Sequence, residues 1–274
     1  LHFDFEETMN MPKISIIMSV YNGMPYLKKA IRSILTQTYK NFEFIIVDDA
    51  STDRSWEYLK SVKDKRVKPI KNKKNLGLAA SLNIALAKSS GEYIARMDAD
   101  DISLPKRLET QLELLQKDQS IELCGVWAKL IDENNKVIGR VHKPKADKDI
   151  KKMSRWITGI IHPTWLGRRK MFEKLKGYNP DYDMAEDLDF LIRAKDFKMA
   201  NIEKELLLWR NPQQRRSQSD IEKIYRQSLR VRWQHFLKGN LTILFLPYLI
   251  RSLITTYLFP ARLKIFLNKK AGLL

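Results

Sequence analysis

The sequence predicts an α/β fold, a mostly parallel central sheet with helices on both faces, followed by a basic and apolar helical tail. Three observations carry this reading. Short β-branched apolar runs alternate with segments of helical period through the N-terminal part of the chain. Several of those runs end in polar or acidic residues. Past Ser219 the composition turns apolar and basic.

In chain order, Ile14 to Val20 reads as a buried strand that Tyr21-Asn22-Gly23 breaks. From Met24 to Gln37 the residues Tyr26, Leu27, Ala30, Ile31, Ile34 and Leu35 recur at helical spacing, and a strand follows from Asn41 to Asp49. Ser51, Thr52 and Asp53 are cap-type residues ahead of a helix through Trp56 and Leu59. Arg66 to Ile70 is a short strand and Asn75-Leu76-Gly77 a turn; Leu78, Leu82, Ala85 and Leu86 then mark a helix leading to a strand that begins at Gly91. Strands separated by helices pair in parallel. Beyond Pro105, Arg107, Leu108, Gln111, Leu112 and Leu115 form an amphipathic helix. Ile121 to Ile131 is a long strand, and Asp132 to Asn135 turns it back into Val137 to His142. The remainder is less regular. Glu186 and Asp187 open a helix with Leu188, Leu191 and Ile192 on its apolar side, a place where the helix dipole alone favours acid.

Net charge is +18 over 274 residues, which points to a polyanionic partner: nucleic acid, an anionic membrane or a phosphorylated substrate. The single cysteine, Cys124, excludes an intrachain disulfide and a cysteine-based zinc cluster. The four histidines lack metal-ligand spacing, and no Ser-His-Asp or Cys-His arrangement supports a covalent nucleophile. Residues 1–10 have neither the basic start nor the apolar core of a signal peptide. They read as an extension, disordered or extraneous, ahead of a domain over 11–219.

In the tail, 220–274, Ile221, Ile224, Tyr225, Leu229, Trp233 and Phe236 follow helical spacing with Lys223, Arg226, Arg230 and Arg232 between them. Leu241 to Phe259 is nearly all apolar, interrupted by Arg251 and with Pro247 inside. Spanning a bilayer takes about 20 apolar residues, and a central arginine costs roughly 2.5–3.5 kcal/mol. The expectation is therefore an interfacial or re-entrant anchor through residues 221–274 on an anionic membrane surface, rather than a span. A helical pair packed on the domain, or in a dimer interface, is the alternative. Nucleic acid is disfavoured, because the basic residues lie beside apolar ones and no aromatic-interleaved stacking pattern appears.

The densest chemistry lies in Gly91 to Asp101. Tyr93, Ala95 and Met97 face one way along this strand and Ile94 and Arg96 the other, before it ends in Asp98-Ala99-Asp100-Asp101. Like charges packed at a strand end repel unless a cation or a set of donors neutralises them. Hard carboxylate oxygens suit magnesium or manganese, which also hold substrate phosphates. An acidic turn with Asp98 or Asp101 capping the next helix is the plainer alternative. In open sheets ligands bind beyond the carboxyl ends of the strands, and Ser19 to Asn22, Asp48-Asp49 and Asp98 to Asp101 would share that rim.

Taken together, these residues resemble a family 2 glycosyltransferase of the GT-A fold, of the bacterial surface-polysaccharide type, over roughly Pro12 to Arg216. The carriers are Ile16 to Asn22, Gln37-Thr38, Val47 to Asp53, Asn75-Leu76-Gly77, Gly91 to Ile94, Asp98 to Asp101 with Pro105 and Arg107, His162-Pro163, and Glu186-Asp187. Nucleotidyltransferases of similar sheet type carry a Gly-rich, Arg-containing phosphate loop after the first strand, which this chain lacks.

The resemblance implies that Ser19, Val20, Tyr21, Asn22 and Asp49 frame the base and ribose of a nucleotide-sugar, with uracil reading by Asp49. It puts Asn75 and Gly77 in a loop over the base, Asp98 and Ala99 near the ribose, and Asp100 with Asp98 on a divalent cation, Mn2+ or Mg2+. Asp187 matches the general base and Glu186 its acidic neighbour. His162 could contact phosphate or acceptor, or be packed structure; Arg215 or Arg216 could close on phosphate, or be a solvated loop. The implied activity is inverting, metal-dependent transfer of a hexosyl or N-acetylhexosaminyl group. The donor would be a UDP-sugar and the acceptor a lipid-linked saccharide, at the cytoplasmic face of a bacterial membrane. A catalytically inactive module of the same fold, binding anionic membrane or nucleic acid, is the rival.

Overall fold

A computed structural model describes residues 13–155, 157–182, 184–210, 218–241, 243–260 and 263. The expected alternation is present as β1 (Ile14–Val20), α1 (Leu27–Leu35), β2 (Phe42–Asp48), α2 (Ser55–Ser61), β3 (Val67–Lys71), α3 (Leu78–Lys88) and β4 (Tyr93–Arg96). β1 lies between β2 and β4 with β3 outside β2, all four parallel, and Ile14 stands opposite both Phe42 and Tyr93. Parallel neighbours end at one edge, so the polar ends of β1, β2 and β4 do meet there.

The second half adds β5 (Ile102–Ser103), α4 (Arg107–Lys117), β6 (Ile121–Ile131), β7 (Val137–Val141), α5 (Asp147–Met153), β8 (Leu166–Arg168), α6 (Arg169–Lys174), α7 (Glu186–Arg193) and β9 (Lys198–Arg210). The sheet order is β3-β2-β1-β4-β8-β6-β9-β5, with β7 on β6. Here the mostly parallel expectation is corrected. β8 runs antiparallel to both β4 and β6, β7 to β6 and β5 to β9; β6 and β9 alone in this half are parallel. A tight turn such as Asp132 to Asn135 can join only antiparallel strands, so the sheet becomes mixed where crossover helices stop.

Strand alternation sends side chains into two apolar layers. Ile16, Met18, Phe44 and Ile46 pack with Ile31, Leu108 and Leu112 on one face. Ile17, Ile45 and Ile94 pack with Leu82, Phe190 and Leu191 on the other. Tyr93, Ala95 and Met97 join the first layer, as their spacing predicts.

Two local expectations change. Asp53 does turn the chain into α2, its Oδ1 accepting from Ser55 N at 2.9 Å, but the N-cap position is Arg54 and has no side-chain cap. Ser51, Thr52 and Asp53 instead tie down the loop after β1, whose open backbone donors need partners. Asn22 N donates to Ser51 Oγ at 3.0 Å, Met24 N to Asp53 Oδ2 at 3.0 Å, and Thr52 N to Asn22 Oδ1 at 2.8 Å. Nor does either aspartate cap α4, whose N-cap position is Lys106.

The tail forms α8 (Gln218–Leu237) and α9 (Leu246–Leu258). α8 buries Val231 against Tyr182, Ala185, Leu188 and Ile192, so it is packed on α7. Its buried face is not the purely apolar one the spacing predicts: Trp233 is exposed while Arg232 and His235 are buried. Polar partners explain this, with His235 Nε2 at 2.8 Å from Asp189 Oδ1 on α7 and Arg232 Nε donating to the Arg155 carbonyl at 3.0 Å. The apolar stretch is not one helix either. Pro247 falls in the first turn of α9, where a missing N–H is tolerated. Among the described residues no helix is long and apolar enough to cross a membrane.

Candidate active site

Asp49, just past the end of β2, is 2% exposed and its carboxylate organises the neighbouring loop. Oδ1 accepts from Asn72 Nδ2 at 2.7 Å and Leu76 N at 2.9 Å, and Oδ2 accepts from Gly77 N at 2.8 Å. Gly77 has φ +86, a left-handed conformation that suits glycine, and its position brings Asn75 and Gly77 over the strand end. Asn22 and Ala50 also have positive φ, at 51 and 62. Left-handed backbone at non-glycine residues collects at functional sites because the surroundings must hold it there. Tyr21 projects into solvent at 52% exposure beside this rim, while Ser19 is half-buried and Val20 buried. A Cβ placed on Gly23 would lie 3.7 Å from that of Ala99, so the loop after β1 and the acidic turn after β4 are in contact range.

That acidic turn gathers its charges. Asp98, Asp100 and Asp101 present carboxylate oxygens that all lie within 4.8 Å of one another. Asp98 pairs with Arg96 at 2.5 Å. Asp101 is buried, its Oδ1 accepts from Arg210 N at 2.8 Å, and its Oδ2 has no hydrogen-bond partner among the described residues. Burial first, and then Asp100 and Asp98, push the Asp101 carboxyl well above the usual range. A buried acceptor without a donor, next to two further carboxylates, is a set of hard oxygen ligands that fits Mg2+ or Mn2+.

Glu186 and Asp187 open α7 and face different surroundings. Glu186 is 4% exposed, and burial followed by the charge of Asp187 raises it to about 8, so it is protonated at neutral pH. Asp187 is half-buried, its Oδ1 accepting from Leu188 N at 2.7 Å. A buried, protonated carboxyl next to a half-buried one suits separate roles for the two. His162 is buried between Trp165 and Tyr178, with ring centroids at 4.5 and 5.4 Å. Its Nε2 lies 3.1 Å from the Tyr178 hydroxyl and its Nδ1 3.6 Å from Glu186 Oε1. Burial and Arg96 hold its imidazole neutral, so the approach to Glu186 is between uncharged groups. His162 is thus packed, and it reaches the site through Glu186. Arg215 and Arg216 lie outside the described residues.

Three basic residues complete the site: Arg107, already named among the carriers of the resemblance, and Arg96 and Arg210, to which the sequence reading gave no site role. Arg96 is 2% exposed; burial opposes its charge, but Asp98, Tyr178 and Glu186 outweigh that and hold its pKa up. Its Nε and Nη1 have no hydrogen-bond partner among the described residues, and its charge acts on both the acidic turn and the start of α7. Arg107 Nη1 donates to the Arg96 carbonyl at 3.2 Å and the Pro163 carbonyl at 2.6 Å, bracing that link. Arg210, ending β9, donates from Nε to the Asp100 carbonyl at 2.9 Å and covers Tyr26 at 4.0 Å. For Arg96 the available signal was an arginine inside an otherwise apolar strand.

A rim organised by a buried aspartate, a carboxylate cluster and a paired-acid helix start on one sheet edge are the layout of a GT-A-like glycosyltransferase. The glycosyl transferase family 2 model matches residues 15–176, and the chain belongs to that family. It is 40% identical over 222 residues to an uncharacterized glycosyltransferase of Methanocaldococcus jannaschii, covering 78% of this chain and 76% of that one. It is 37% identical to EpsE of Bacillus subtilis, over 71% and 72% of the two chains. To the O-antigen biosynthesis glycosyltransferase WbnJ of Escherichia coli it is 37% identical, over 66% and 70%. Among solved structures, S. aureus TarS 1-349 in complex with UDP-GlcNAc superposes with TM-score 0.70 at 20% identity, covering 90% of this chain and 73% of that one. Mannosyltransferase PcManGT from Pyrobaculum calidifontis, in complex with GDP-Man and Mn2+, has TM-score 0.62 at 17% identity, covering 97% and 82%. At these identities the structural likeness establishes the fold.

Proposed function

We propose that the protein is an inverting, metal-dependent transferase that moves a hexosyl or N-acetylhexosaminyl group from a UDP-sugar to a hydroxyl of a lipid-linked saccharide. The observation that carries the proposal is the meeting, at one edge of the parallel strands, of the Asp49 loop, the Asp98–Asp101 turn and, through Arg96, the Glu186–Asp187 helix start. WbnJ, an O-antigen biosynthesis glycosyltransferase, supports a role in surface polysaccharide assembly, and the UDP-GlcNAc and GDP-Man complexes of the structural neighbours support a nucleotide-sugar donor.

Tyr21, Asn22, Asp49 and the loop through Gly77 bind the nucleoside. Asp98, Asp100 and Asp101 would hold a divalent cation, which when bound neutralises the diphosphate and eases its departure. Asp187 accepts the proton of the acceptor hydroxyl, whose oxygen forms the new bond to the anomeric carbon. The bond to the diphosphate breaks, the nucleoside diphosphate leaves with the electron pair, and attack from the opposite face inverts the configuration. Glu186, protonated, keeps a second negative charge away from Asp187.

The acceptor and the tail belong together in this reading. Ile250, Leu253, Ile254, Tyr257 and Leu258 recur at helical spacing on α9 and are 40–73% exposed. With Lys264, Lys269 and Lys270 following in sequence, this face suits the cytoplasmic surface of an anionic bacterial membrane, as a peripheral or monotopic anchor.

The test is nucleoside diphosphate release from a panel of nucleotide-sugars, with Mn2+ or EDTA, membrane extract as acceptor, and Asp100→Ala and Asp187→Ala beside wild type. Release with one donor, lost in EDTA and in both variants, is expected. Release that neither substitution lowers would overturn the site assignment.

A further inference from the structure

The helix that carries Asp187 is short. α7 has eight residues, and a helix of that length does not hold its own place in water; its position comes from what packs on it. Phe190 and Leu191 pack towards the sheet, in the layer with Ile17, Ile45 and Leu82. Leu188 and Ile192, one turn apart, pack with Val231 of α8 instead. The tail helix is therefore one of the two walls that place the base helix.

A buried knot of hydrogen bonds joins the same two helices. Asp189 is 1% exposed and both of its carboxylate oxygens are engaged. Oδ1 accepts from His235 Nε2 of α8 at 2.8 Å, and Oδ2 accepts from Arg193 Nε at 2.8 Å. Arg193 is held in turn, its Nη2 donating to the Gly177 carbonyl at 2.9 Å and its Nη1 to the Leu175 carbonyl, both just past α6. His235 is buried, and Asn240 Nδ2 approaches its Nδ1 at 3.0 Å, so the ring is oriented at both nitrogens. One position along α8, Gln234 Oε1 accepts from the hydroxyl of Tyr182, which precedes α7.

A buried carboxylate satisfied on both oxygens has one favourable orientation, and in a helix of two turns that orientation fixes the rotation of the whole element about its axis. At about 100° per residue, Asp187 lies about 200° around the helix from Asp189. With Asp189 turned to α8 and to the end of α6, Asp187 is turned away from both and is half-buried. Loss of the His235 bond frees one oxygen of Asp189 and with it the constraint on where Asp187 points.

We propose that His235 is a positioning residue for sugar transfer: through Asp189 it sets the rotation of α7 and holds Asp187 at the acceptor hydroxyl. The tail helix is then part of the active site and not only an anchor. This rests on the glycosyl-transfer reading above.

The test uses three variants of the full chain. His235→Ala removes the donor to Asp189, His235→Gln supplies an amide donor in its place, and Val231→Ala thins the same α7–α8 contact while leaving the pair intact. Transfer is measured as UDP release from the UDP-sugar that wild type uses, with membrane extract as acceptor. UDP affinity and melting temperature are taken on the same samples. His235→Ala is expected to lower kcat roughly tenfold or more, the scale of a misplaced catalytic group, with KM for the donor and UDP affinity unchanged. His235→Gln should recover most of that kcat, and Val231→Ala should lower the melting temperature without a comparable loss of kcat. Amide hydrogen exchange reads the helix itself: residues 186–193 should exchange faster in His235→Ala than in His235→Gln. If His235→Ala does not fold, the double change Asp189→Leu with His235→Leu replaces the buried pair by apolar packing and is read in the same way. An unchanged kcat on loss of the pair, or a loss that Val231→Ala matches and His235→Gln does not recover, overturns the proposal. Wild type that releases UDP from no donor ends the transferase reading and this role with it, whereas an active wild type whose variants behave alike ends only the role of His235.

Discussion

At the end of β2 the Asp49 carboxylate is met by three donors from the chain itself, whereas around the end of β4 and the start of α7 polar atoms of ionisable groups are buried without hydrogen-bond partners among the described residues. Asp101 Oδ2, Glu186 Oε2 and two nitrogens of Arg96 make up that second group. The nucleoside rim is therefore assembled before any ligand arrives, and its stability comes from the chain. The reacting edge holds groups whose desolvation is uncompensated, and such groups gain most when a cation, a diphosphate or an acceptor supplies what is missing.

The largest effect should come from Asp187, because it acts on the proton in flight. Asp187→Asn is expected to lower sugar transfer by about 10²–10⁴-fold, the usual contribution of a general base, with UDP affinity unchanged. Nucleoside diphosphate release and calorimetry would check the two halves of that statement. A rate within tenfold of wild type would move the base elsewhere.

Next comes the contrast in stability. Arg96→Met leaves Asp98 without its buried partner at 2.5 Å and should destabilise by about 3–5 kcal/mol, as removal of the buried member of an ion pair does. Asp49→Ala strands three donors at a partly open loop and should cost about 1–3 kcal/mol. Urea unfolding measures both. Mn2+ with UDP should restore Asp49→Ala less than it stabilises wild type, since the loop that closes over the base has lost its anchor. The reverse order of the two losses would erase the distinction drawn here.

A smaller effect follows from Glu186. Its folded-state pKa of about 8 exceeds the ordinary 4.5, so the folded protein binds this proton more tightly than the unfolded chain. The associated stability is full below pH 4.5 and is lost as pH rises towards 8. Wild type should lose melting temperature across that window more steeply than Glu186→Gln, in matched buffers without metal. Parallel curves would show that the proton is held elsewhere.

The smallest is Gly77→Ala. An added Cβ there meets nothing within 4 Å, so the substitution tests the left-handed φ alone. A loss of about 1–2 kcal/mol is expected, with weaker UDP binding because the same loop covers the base.

Much of the fold was legible in the sequence. Strand and helix periods are local, so β1 through β4, α4 and the β6–β7 hairpin appear where spacing puts them, and parallel pairing follows from the crossover helices; the two-residue β5 was not readable. The reversal at β8 was not legible, because the segment from His162 to Arg168 is short and apolar and nothing local states which neighbour it joins. The tail shows the same division. Its helical period was readable, yet the face it buries was chosen by Asp189 and the Arg155 carbonyl, which accept from His235 and Arg232.

What the sequence by itself determined is which residue types end each strand: Asn22, Asp49 and Asp98 to Asp101 reach one rim because parallel strands finish on one side. Only the tertiary structure decided which of those charges are satisfied. Arg96 and Glu186 are 90 residues apart in the chain, and Asp101 and Arg210 more than a hundred. Proton affinity, pairing and the direction of a buried side chain depend on neighbours in space, and those neighbours exist only once the sheet order β4-β8-β6-β9 has been laid down.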